Sequence, residues 1–156
     1  MTRAQWIGLF LIVTFAGSGA VIYMKTRGLR NNNPGNIEKG DNWRGMASEQ
    51  TDSRFITFVK PEYGIRAMAR IIKNYKKKYN VNTIYKIIER WAPPIENDTE
   101  NYAAFVAKQV GVSAHDPISI ETYLPSIIAA MIEMENGQQP YAPALIAQGI
   151  QLERSA

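Results

Sequence analysis

The chain has 156 residues, no cysteine and a single histidine, with 18 Lys/Arg against 14 Asp/Glu for a net charge of +4. Once a hydrophobic N-terminal segment is set aside, that length suits one domain with one core. The cysteine count excludes disulfides, thiolate nucleophiles and cysteine-based metal sites, and neither a metal nor a cofactor is expected.

Charge is unevenly distributed. Residues 1–90 carry 16 Lys/Arg against 6 Asp/Glu, and residues 91–156 carry 2 against 8. The first half therefore favours anionic surfaces such as lipid headgroups or DNA, or presents a solvated basic face. Residues 4–24 contain no charged side chain, and at 1.5 Å per residue a helix there would reach about 30 Å, the thickness of a hydrocarbon core. Trp6 and Tyr23 lie near its ends, where amphipathic rings favour the interface. A cleaved signal peptide competes, because Ala16-Gly17-Ser18-Gly19-Ala20 offers small residues; against it, only Arg3 precedes the apolar run, which continues through Val21-Ile22-Tyr23-Met24. The expectation is a retained single-pass anchor in residues 1–26 and a soluble, mostly helical domain in residues 27–156. Lys25, Arg27, Arg30 and Lys39 follow the anchor, which by the positive-inside rule leaves the C-terminal domain cytoplasmic.

The run Arg27-Gly28-Leu29-Arg30-Asn31-Asn32-Asn33-Pro34-Gly35-Asn36-Ile37 comes next. Its asparagines and Pro-Gly favour a fixed polar turn, with Pro34-Gly35 suited to the centre of a type II turn. Such a loop beside Trp43 either lines a ligand groove or spaces the domain from the anchor. Residues 37–43 and the alternating run Arg54-Phe55-Ile56-Thr57-Phe58-Val59 predict a short β-hairpin.

Helical periods follow. The first starts at Pro61-Glu62 with the apolar stripe Ile65, Met68, Ala69, Ile72, Tyr75 and Tyr79. Arg66, Arg70, Lys73 and Lys77 form a neighbouring basic stripe, read either as solvated or as a contact for lipid or DNA. Further helices are predicted over residues 83–91, from the Asn97–Glu100 capping pattern to Gly111, over residues 118–135 with Pro125 bending or restarting the helix, and over residues 143–152. His115, in a turn with no nucleophile elbow nearby, is not expected to be catalytic.

Glu135 extends the line Leu124, Ile128, Met131, Glu135, so a carboxylate occupies the apolar side of a helix one turn before Gly137. Lost hydration there should raise its pKa, as a general acid on a glycosidic oxygen requires. The alternative is an acid that merely ties the helix end to loop amides or an arginine.

At these residues resemblances emerge. Met131-Ile132-Glu133-Met134-Glu135-Asn136-Gly137-Gln138-Gln139-Pro140-Tyr141 is similar to the glutamate-bearing helix end of lysozyme-like lytic transglycosylases. Residues 33–43 resemble the hairpin region of bacterial cell-wall glucosaminidases. The order of the two is reversed here, so that resemblance, unless accidental, implies a circular permutation. The resemblances imply a mainly α, lysozyme-like α+β small domain with a short β-hairpin, preceded by one transmembrane helix.

A wider resemblance combines the Arg27–Ile37 run, Trp91-Ala92-Pro93-Pro94 with Glu96-Asn97, Glu135-Asn136-Gly137 and Pro140-Tyr141. It is to a family of virion structural proteins of marine, internal-membrane bacteriophages of the corticovirus type and related prophages. That resemblance implies a component of the virion membrane, also resident in the host inner membrane, with the lipid bilayer and capsid proteins as partners.

Two functions from different classes follow. In one, the domain cleaves peptidoglycan glycan strands as the phage enters a cell. Glu135 is then the catalytic acid, Asn31, Asn33, Asn36 and Trp43 grip the sugars, Trp91 and Tyr141 stack on them, and Glu38 or Asp41 is a possible second carboxylate. In the other, a non-enzymatic protein links the viral membrane to the capsid or, through Arg66, Arg70, Lys73 and Lys77, to packaged DNA.

Overall fold

The computed structural model describes residues 25–92 and 98–155. Six helices follow one another: α1 (Arg27–Arg30), α2 (Pro61–Tyr79), α3 (Ile84–Trp91), α4 (Asp98–Val110), α5 (Ile120–Asn136) and α6 (Pro143–Arg154). Local chemistry fixes their ends. Thr83 and Ser119 cap α3 and α5 by accepting from the backbone N–H of Lys86 and Thr122, and Pro61 and Pro143 occupy first-turn positions whose N–H has no helical partner. Asn80 and Gly137 close α2 and α5 in the left-handed conformation. The Asn97 cap expected for α4 lies outside the described residues.

The core forms where the apolar stripes of α2 to α6 converge. Ile65, Met68, Ile72, Ile84, Ile87, Ile88, Ile127, Ile128 and Met131 are all fully buried. Helices α2 and α6 cross closely because Gly149 lacks a side chain. A Cβ there would lie 2.5 Å from Ile65 Cγ2 and 2.9 Å from the Glu62 carbonyl oxygen.

Two expectations are corrected. The β-hairpin, and with it the α+β class, is absent from the described residues, which show only isolated bridges pairing Glu38 with Phe55 and Met46 with Phe58. Residues 54–59 meet several segments in turn: Ile56 N–H donates to Ile37, Phe58 N–H to Asn31 and Val59 N–H to Gly45. Other ladder donors are taken by side chains, since Asp52 accepts from the N–H groups of Arg54 and Phe55 and Gln50 from that of Thr57. A strand whose N–H groups are capped this way cannot build a continuous ladder. The architecture is mainly helical.

The second correction concerns the membrane. No helix among the described residues is long and apolar enough to cross a bilayer, so they give no support to a single-pass topology in the virion or host inner membrane. The expected anchor at residues 4–24 lies outside the described residues.

Candidate active site

Residues 26–37 wrap the C-terminal end of α5. Thr26 caps α1, and Asn31 ends it. The turn that follows is closed by Asn36 N–H donating to the Asn33 carbonyl at 3.0 Å. It is not the expected type II turn, because Asn32 and Asn36, not Gly35, have positive φ (51° and 50°). Asn tolerates that region through its short polar side chain. Gly35 serves close approach instead: a Cβ would stand 2.8 Å from Met68 Cγ and 2.9 Å from Trp91 Cζ2.

Asn136 fastens this loop to α5. Its Nδ2 donates to the carbonyls of Pro34 (2.7 Å) and Ile132 (2.9 Å), and its Oδ1 accepts from Thr26 Oγ1 at 2.6 Å. The neighbouring Glu135 is thereby brought under Asn36. Asn36 Nδ2 donates to Glu135 Oε2 at 3.0 Å, while Trp91 Nε1 and Tyr102 Oη each donate to Oε1 at 3.0 Å. One carboxyl thus joins the loop, the end of α3, the buried face of α4 and the last turn of α5.

The electrostatics follow from that setting. All three donors are neutral, and no cation among the described residues pairs with Glu135. Burial pushes the carboxyl pKa up and outweighs the lowering effect of Asn36, Trp91 and Tyr102. Burial, reinforced by the Glu135 charge, also pushes the Tyr102 phenol well above its ordinary value, so Tyr102 remains a donor. Glu135 is only half-buried as a residue. Among the described residues, Oε1 accepts from two donors and Oε2 from one, which leaves an acceptor direction on Oε2 where a transferable proton can sit. A raised carboxyl pKa is the direction that general-acid chemistry asks of a glutamate.

Of the residues singled out in the sequence, the structure brings Asn36 and Trp91 onto Glu135. Others belong to the framework. Asn33 is fully buried and bonds to the backbone of Ile37 and Ile56, while Asn31 donates to Asp52. Asp52 also holds Arg27 through two 2.6 Å bonds. Glu38 pairs with Arg54 at 2.5 Å, and Asp41 and Trp43 line a separate groove with Arg66 and Arg70. Tyr141 is half-buried, its phenol pushed up to about 12 by burial and, less, by Glu62. The hydrogen bonds that hold Glu135 come from Asn36, Trp91 and Tyr102.

The basic stripe is largely drawn inward. Arg66 is buried with Nε donating to the Leu152 carbonyl, and Arg70 and Lys73 both pair with Glu153 of α6. Lys77 alone of the four is exposed.

Three site-building residues were not recognisable in the sequence. Tyr102 reads as a member of an apolar stripe, and its hydroxyl meets an acceptor 33 residues away. Thr26 and Asn136 are joined across 110 positions. Periodicity carries no signal for such pairs; the one local hint is Asn136-Gly137 at a helix end.

No family model matches the chain. It is similar to Protein P5 of Pseudoalteromonas phage PM2, with 47% identity over 129 residues that cover 80% of each chain. At that identity and coverage, the chain belongs to the family of corticovirus-type phage proteins that includes Protein P5 of phage PM2.

Proposed function

We propose that this phage protein is a structural component of the virion and that its Glu135 centre gives it a second role, cleavage of peptidoglycan glycan strands. Kinship with a phage PM2 protein supports the structural role. The catalytic role rests on one observation: a desolvated carboxyl at a helix end, held by three neutral donors and, among the described residues, by no cation. A purely structural acid is ordinarily paired with a cation or ionised by charge-assisted bonds, as Asp52 is by Arg27 in this same fold.

In the proposed reaction Glu135 protonates the glycosidic oxygen as the bond to the anomeric carbon breaks. The developing positive charge on the sugar is met by the substrate's own acetamido oxygen, or by its 6-hydroxyl oxygen, whose proton then passes to the Glu135 carboxylate. Asn36, Trp91 and Tyr102 then stabilise the carboxylate that the proton leaves behind.

Zymography of purified particles, and of the full-length chain, on peptidoglycan tests this reading. A clearing band at the mass of this protein is expected, weakened at least about 100-fold by Glu135→Gln and unchanged by Glu133→Gln. If the protein is present in particles and clears nothing, the structural role stands alone.

A further inference from the structure

Away from Glu135, the loop at residues 41–44 and one face of α2 enclose an open groove of about 380 Å³. Arg66, Arg70 and Asn74, spaced four residues apart, line it from α2, and Asn42, Trp43 and Arg44 line it from the loop. Three arginines therefore line one concavity, with Asp41 as the single carboxylate among its lining residues.

One carboxylate, Glu153, is shared between Arg70 and Lys73, and buried Arg66 donates from Nε to the Leu152 carbonyl. Burial, followed by the like charges of Arg70 and Arg44, lowers the Arg66 pKa, with Glu153 opposing. Trp43 adds an indole Nε1 that is buried with no acceptor among the described residues. A cluster of cations held together against mutual repulsion matches a tetrahedral oxyanion, which takes forked guanidinium bonds from several directions.

We infer that the groove bounded by Arg44, Arg66 and Arg70 is a binding site for a single phosphate group. A groove of about 380 Å³ admits a phosphate with a small substituent. Phosphate can come from two sources, free in solution or on the headgroup of an anionic phospholipid.

The test titrates the full-length chain with inorganic phosphate at constant ionic strength, following the Trp43 indole N–H by NMR, with chloride as control. A saturable shift caused by phosphate and not by chloride is expected. Arg44→Gln, on an exposed side chain that leaves the core untouched, should weaken binding about tenfold, and Arg70→Gln should do likewise. Asp41→Asn should tighten it. Flotation with phosphatidylglycerol vesicles against neutral phosphatidylcholine vesicles identifies the source: vesicle binding competed by inorganic phosphate marks a headgroup, and phosphate binding without flotation marks the free ion. No saturable phosphate effect, an effect that Arg44→Gln leaves unchanged, or binding to duplex DNA that phosphate does not compete would each overturn the inference.

Discussion

Glu135 and Asp52 show how opposite settings act on the same functional group. Asp52 accepts from the Arg27 guanidinium, the Asn31 amide and two backbone N–H groups, and the Arg27 hydrogen bond holds its pKa far below the usual carboxylate range. A depressed folded-state pKa contributes stability that is present above the unfolded value and lost as pH falls through the carboxylate range. Asp52→Asn should therefore lower the denaturation midpoint at pH 7, with the gap from wild type narrowing on acidification. Glu135 behaves in the opposite sense. Its folded pKa is raised, so wild-type stability should fall as pH rises from about 4.5 through the folded-state value, a slope that Glu135→Gln should lack in urea titrations at several pH values. The Gln side chain fits the same space, because the Asn36 amide can turn over and offer its unpartnered Oδ1 to the new N–H group. Each donor bond favours the ionised form, so Tyr102→Phe should raise the Glu135 pKa further, as read from its carboxyl carbon shift in an NMR titration.

Among the elements, α2 and α6 depend most on a single small residue. Gly149→Ala would push a methyl group into Ile65 and the Glu62 carbonyl, and overpacking of this kind should cost about 1–3 kcal/mol, measurable as a lower urea midpoint. The helices themselves were legible in the sequence because their apolar periods are long: α2 starts at Pro61 and α6 at Pro143, as the pattern predicts, and α3 spans Ile84–Trp91 against an expected 83–91. The period also placed Glu135 on the apolar side of α5. The region between α1 and α2 was not legible. Phe55, Thr57 and Val59 alternate as a strand would, but Asp52 and Gln50 supply side-chain acceptors to the backbone that would otherwise pair. The site was half legible for the same reason. Asn36, Trp91 and Glu135 carry visible signals of turn, aromatic helix end and buried acid, whereas the Tyr102 hydroxyl and the Thr26–Asn136 clasp act only through contacts made by the folded chain.

At the scale of the whole molecule, cationic and acidic chemistry are divided between two places. The groove proposed to hold phosphate lies against α2, in the basic half of the chain, and the Glu135 carboxyl lies at the end of α5, in the acidic half. The chain belongs to a phage protein family, and peptidoglycan cleavage at Glu135 is the second role proposed for it. The most direct measurement is mass spectrometry of the products released from purified peptidoglycan by the full-length protein, wild type against Glu135→Gln. The account predicts shortened glycan strands from the wild type and at least about a 100-fold slower release from the variant, at equal folded concentration. Intact strands with the wild-type protein, or equal release by the two, would contradict it.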